Sequence, residues 1–136
     1  MQKITVQTTV KAPIKKVWQY FNGIEHYSGW SFASNDWGAK GIENDLRVGG
    51  RLRVHNFAKD SSADFIFEGV YKEIQENKLI DFDMTDDRNV CVEFTEVADG
   101  VLVTETFDAE TENSEELQRS GWQAYLDNFK KYVESN

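Results

Sequence analysis

The sequence predicts an α+β fold, with a curved antiparallel sheet covered by one long C-terminal helix. Three observations predict it. Apolar and β-branched residues alternate with polar ones in successive runs, at 3–10, 50–57, 64–74, 78–84, 89–97 and 101–107. The links between the later runs are short and rich in turn residues, which makes consecutive strands antiparallel neighbours. The chain then ends on a broad aromatic stripe at helical spacing.

The elements follow in order. In 3–10, Ile4, Val6, Thr8 and Val10 share one face and Thr5, Gln7 and Thr9 the other, the period of a half-buried strand. Pro13 suits a helix start, and Ile14, Val17, Trp18 and Phe21 fall at i, i+3, i+4 and i+7 before Gly23 ends the stripe. Residues 24–49 hold His26, Tyr27, Trp30, Phe32 and Trp37 among glycines without a sustained period. They read as a short helical turn and a long loop, the kind of segment that forms a lid or pocket wall. Gly49-Gly50 bends the chain into the strand run. In 64–74 two apolar sets compete for the inside: Phe65, Phe67 and Tyr71 against Ile66, Val70 and Ile74. Asp99-Gly100 gives the clearest hairpin signal. Asn113 with Glu116 has capping-box spacing at the start of the last helix. Trp122, Tyr125, Leu126, Phe129, Tyr132 and Val133 form its stripe; at about 1.5 Å per residue, 114–134 reaches across a whole sheet.

Composition narrows the function. The 136 residues suit one domain, residues 1–136, with no linker or repeat. Fifteen Lys and Arg against 24 Asp and Glu give a net charge of −9, which argues against nucleic acid and anionic membranes as partners. Cys91 alone makes no intramolecular disulfide framework and no thiolate zinc site. No apolar run approaches a membrane span and the N-terminus lacks a signal-peptide pattern, so the expected location is the cytoplasm. The 9 Phe, 5 Tyr and 4 Trp either fill the space between a bent sheet and one helix or line a cavity there.

Several segments carry a resemblance. Residues 103–110 (VTETFDAE), then Gln118, Gly121-Trp122-Gln123 and residues 126–133 (LDNFKKYV), resemble the C-terminal signature of the activator-of-heat-shock-protein-90-ATPase homologue family, within the START/Bet v superfamily. Gly49-Gly50-Arg51, residues 67–74 (FEGVYKEI), and Ala12-Pro13 with Val17-Trp18 are similar to its other blocks. The resemblance spans essentially the whole chain. It implies the helix-grip fold: a bent antiparallel sheet of six to seven strands wrapped around a long C-terminal helix, in the order β-α-(α)-β-β-β-β-β-β-α, with a cavity between them. It also implies a short second strand near Leu46-Arg47-Val48, and possible partners and roles of three kinds: a bound hydrophobic or amphipathic ligand such as a lipid or polyketide, a chaperone in a stress response, or cyclase-type or hydrolase-type chemistry. The eukaryotic chaperone activator carries a further N-terminal domain that these 136 residues do not include, so a binding role is expected over chaperone activation or catalysis.

Residue chemistry points the same way. Glu105 alternates with Val101, Val103 and Phe107, so an inward face would carry a carboxylate into the cavity, to orient a ligand or act as an acid or base. His26 is expected at the cavity mouth; His55, alternating with Arg51 and Arg53, faces solvent. The expected ligand contacts are His26, Tyr27, Trp30, Trp37, Phe67, Tyr71, Phe94, Glu105, Phe107, Trp122 and Tyr125. No catalytic residue, metal site or cofactor is assigned. The two histidines have no ligand spacing, and Asp81, Asp83, Asp86 and Asp87 lack the Gly and Glu of a calcium loop. Cys91 has no flanking cation to activate its thiol.

Overall fold

The computed structural model describes residues 2–136. Its elements are β1 (Lys3–Val10), α1 (Ile14–Asn22), α2 (Ile24–Tyr27), β2 (Trp37–Asn44), β3 (Arg51–Ala58), β4 (Asp64–Gln75), β5 (Leu79–Met84), β6 (Asn89–Val97), β7 (Gly100–Asp108) and α3 (Glu115–Ser135). The seven strands form one antiparallel sheet in the order β1-β7-β6-β5-β4-β3-β2. Strands β2 to β7 are a meander, and β1 returns to pair with β7 from Lys3↔Asp108 to Val10↔Val101. This is the helix-grip order.

Alternation decides which face is core. On β7, Val101, Val103, Glu105 and Phe107 are all buried, against Ile4 and Val6 of β1 and Val90, Val92 and Phe94 of β6. On β4 both competing sets are used. The register slips between Tyr71 and Glu73, and this bulge inverts the parity, so Phe67 and Tyr71 point inward before it and Ile74 after it.

Three local expectations are corrected. The second strand runs from Trp37 to Asn44, not near 46–48. Its glycines read as loop signals, yet they serve an edge strand. Gly41, at φ +58, sits at the register break between Lys40 and Glu43. Gly38 lies under the Phe57 ring, where an added Cβ would approach to 2.7 Å. The N-cap of α3 is Ser114, whose hydroxyl accepts from the Leu117 amide at 3.1 Å; the Asn113 amide instead donates to Glu110. The β6–β7 turn residues are Ala98 and Asp99, with Val97 already paired to Gly100. Gly100, at φ +143, is required both by its backbone conformation and by closeness: a Cβ there would lie 2.1 Å from the Val10 carbonyl oxygen.

Helix α3 lies along the free edge of β1. Arg119 donates to the Thr5 carbonyl at 3.0 Å, Gln123 to Gln7 at 3.1 Å and Lys130 to Thr9 at 2.7 Å. Alternate carbonyls of an edge strand are thus covered by side chains spaced along one helix face, which blocks that edge from pairing with another chain.

A cavity under the first half of the long helix

The two halves of α3 do different work. Leu126, Phe129 and Val133 are buried in the core. Phe129 meets Phe21 edge-on at 5.2 Å and Trp30 at 4.9 Å, and Phe21 in turn meets Phe94 at 5.3 Å. This aromatic cluster, brought together by α1, the segment after α2 and β6, closes one end of the space between sheet and helix. Toward the N-terminus of α3 the helix presents Leu117, Gly121, Trp122 and Tyr125; Trp122 stacks on Phe107 at 3.9 Å and meets Phe67 at 6.0 Å, and these rings line the gap without filling it. A cavity of about 710 Å³ remains there.

Its floor is the inner face of the sheet: Leu52, Val54 and Asn56 of β3, Phe67 of β4, Ile80 and Phe82 of β5, Val92 of β6 and Glu105 of β7. Tyr27, Trp30 and Ser31 close the side. Phe65, Ile66 and Leu117 line it while remaining largely exposed, so they form an apolar rim. Arg88, Glu110, Glu112 and Asn113 add charged and polar groups. A mostly apolar concavity with a few polar groups is the usual form of a small-molecule site.

The polar groups differ in how they are satisfied. Asn56 is fully committed: its amide donates to the carbonyls of Ser31 at 2.6 Å and Gly38 at 3.2 Å, and its oxygen accepts from the Tyr125 hydroxyl at 3.2 Å. Gln118 latches the β7–α3 loop by donating to the carbonyls of Glu110 and Asn113 and accepting from the Glu110 amide. Glu105 is only 8% exposed, and no hydrogen bond or cation among the described residues offsets its burial. Desolvation alone therefore raises its carboxyl to about 8, so it is mostly protonated at neutral pH. Burial also raises the Tyr27 phenol, with further contributions from Tyr71 and Glu105, and pushes Tyr125 up to about 12.

The structure brings Tyr27, Trp30, Phe67, Glu105, Trp122 and Tyr125 onto one cavity wall. The other expected contacts lie elsewhere. His26 is not at the mouth: its Nδ1 pairs with the Tyr132 hydroxyl at 2.7 Å and its ring stacks on Tyr20 at 4.0 Å. Consecutive helical residues point about 100° apart, so the turn that aims Tyr27 inward aims His26 away. Tyr71 is buried, and its hydroxyl donates to Asn44 at 2.6 Å. Phe94 belongs to the closing cluster, beside Trp18 and Phe21. Phe107 backs the wall, stacked at 3.9 Å on Trp122. Trp37 packs at 5.7 Å against the rim residue Phe65. His55 is partly buried and paired with Asp64 at 2.6 Å.

Sequence reasoning missed two wall residues that had a signal. Asn56 alternates with Leu52 and Val54, the same parity argument that marked Glu105. Gly121 sits inside a helix, at a cost of about 1 kcal/mol relative to Ala, and beyond its chain neighbours and its own helix backbone no described atom lies within 4 Å of where its Cβ would stand. Its small size keeps space open.

Cys91 is partly shielded, and burial first, then nearby carboxylates, raise its thiol to about 11. Among the described residues no three His, Cys, Asp or Glu side chains gather to hold a metal ion, and no helix is long and apolar enough to cross a membrane.

Comparison with known proteins places this architecture. The chain is similar to a solution structure of an AHSA1-like protein from Aeromonas hydrophila, with 41% identity, a TM-score of 0.92, and coverage of 98% of this chain and 93% of that one. It is 45% identical to a protein from Cytophaga hutchinsonii, with TM-score 0.84 and the same coverages, 98% and 93%. A crystal structure from Chromobacterium violaceum, 21% identical, shares the fold over 100% of both chains, with TM-score 0.88. No match is found among curated proteins. Residues 11–134 match the family described as Activator of Hsp90 ATPase homolog 1-like protein, and the chain belongs to that family.

Proposed function

We propose that this protein binds a small hydrophobic or amphipathic molecule in the cavity beneath α3, without transforming it. The observation that carries this reading is the cavity itself: about 710 Å³ of space walled by aromatic and aliphatic groups, with a carboxyl on its floor that the described residues leave unpaired. Burial of a ligand's apolar surface supplies affinity at roughly 25 cal/mol per Å². The polar end of the ligand meets Glu105, whose side chain has no protein partner among the described residues. Membership of a family whose name refers to chaperone activation is compatible with a binding domain, but the cavity speaks for a small molecule as its occupant.

The test is a nitrogen–proton correlation spectrum of the labelled protein, titrated with a mixed panel of lipids, sterols and aromatic polyketide-like compounds. Saturable shifts should cluster on 27–31, 54–56, 65–67, Glu105 and 117–125. A panel-wide absence of shifts would contradict the proposal and favour a surface that meets another protein.

A further inference from the structure

We infer that the cavity prefers a ligand bearing an organic ammonium group on an apolar body, with Glu105 as its counter-ion. This deepens the reading above and rests on it. Three observations support it. Glu105 is more than nine-tenths buried on the cavity wall, with neither a hydrogen bond nor a cation supplied by the described residues. The acidic and basic side chains along the same cavity are unbalanced: Glu105, Glu110 and Glu112 against Arg88, whose guanidinium already bonds Asp86 at 2.7 Å. The surrounding wall includes the rings of Tyr27, Trp30 and Trp122, an electron-rich lining, and aromatic rings attract cations through their quadrupoles.

An anionic amphiphile would meet the Glu110 and Glu112 carboxylates and, wherever Glu105 ionises, a third. A neutral one can hydrogen-bond the buried acid but brings no charge to offset its ionisation. An ammonium satisfies it fully: the carboxyl releases its proton to solvent and a short ion pair forms where the dielectric is low. With the free carboxyl near 8, ionising it at pH 7 costs only about tenfold in affinity. The N-terminus of α3 does not reverse the balance, because Ser114 caps it and Glu115 and Glu116 lie in its first turn. The other titratable groups on the wall are Tyr27 and Tyr125, with Tyr71 behind Tyr27, and burial keeps all three neutral over the working range.

The test uses three probes of one shape: naphthalen-2-ylmethylamine, the matching alcohol and the matching carboxylate, each titrated calorimetrically at about pH 6.5 and pH 8. The amine should bind at least tenfold more tightly than the alcohol at pH 8. Its affinity should rise on the order of tenfold between the two pH values as Glu105 ionises, whereas the alcohol's should not rise and the carboxylate should be weakest at pH 8. Glu105→Gln should bring the amine-to-alcohol ratio close to one, and Glu105→Asp, which keeps the charge, should retain a preference for the amine. An alcohol that binds as tightly as the amine, or a preference unchanged in Glu105→Gln, overturns this inference and leaves the cavity reading intact. Failure of all three probes to bind overturns both.

Discussion

A carboxyl placed among Val101, Val103 and Phe107 on the inner face of β7 is expensive unless it stays protonated, and Glu105 does so with a value raised from 4.5 to about 8. The consequence for stability has a definite sign. Between those values the folded state holds a proton that the unfolded chain has released, so Glu105 makes the fold progressively less stable as pH rises from about 4.5 to about 8, with no further change above. At about 1.4 kcal/mol per unit of displacement the effect reaches a few kcal/mol. Glu105→Gln should therefore match the parent in thermal stability near pH 4.5 and exceed it increasingly up to pH 8. Parallel slopes in a pH series of melting curves would show that the carboxyl is not desolvated. Asp108 has the opposite sign. Lys3 and the Asn89 amide hold it below its usual value, so its contribution is present above the ordinary carboxylate range and is lost as pH falls through its own lower value. Strand parity made the inward position of Glu105 legible, and the same parity was available for Asn56. His26 misled because adjacency to Tyr27 and Trp30 in sequence is not adjacency in a helical turn.

Helix α3 combines a core half, a roof half and an edge-covering face. Gly121 belongs to the roof. Gly121→Ala should stabilise the protein by roughly 1 kcal/mol, a rise of a few degrees in melting temperature, because the helix gains and no neighbour is displaced. Gly121→Phe should leave the fold intact but project a ring into the cavity. The edge-covering face makes a separate prediction. Replacing Arg119, Gln123 and Lys130 together by alanine removes three hydrogen bonds to β1 carbonyls, each worth about 0.5–1.5 kcal/mol. The triple variant should melt several degrees lower and scatter light earlier on heating, as an exposed edge begins to pair between molecules. An unchanged melting curve and scattering onset would mean that these contacts are not what protects β1. The aromatic stripe of α3 was legible from its spacing. The division of that stripe into a plugged end and an open end was not, since it depends on where Phe21, Trp30 and Phe94 arrive from other elements. The position of β2 was hidden too, because its glycines serve an edge strand with a bulge and a close ring, which local sequence cannot distinguish from a loop.

Across the whole molecule, short antiparallel connections and alternation determine the meander, and one helix about 10 Å across cannot fill the hollow of a seven-stranded bent sheet. The cavity follows from that mismatch, and the aromatic cluster at one end sets its limits. On the proposed reading, its walls, mostly apolar with one acid that the described residues leave unpaired, make it a binding hollow rather than a packing defect. The direct test of this account is the saturable binding of a neutral fluorescent naphthyl amphiphile, N-phenyl-1-naphthylamine, to the parent protein and to Gly121→Phe. The account predicts one-to-one fluorescence enhancement with the parent and at least tenfold weaker binding to a variant that melts no lower. Equal binding to both, or no enhancement with either, would contradict it.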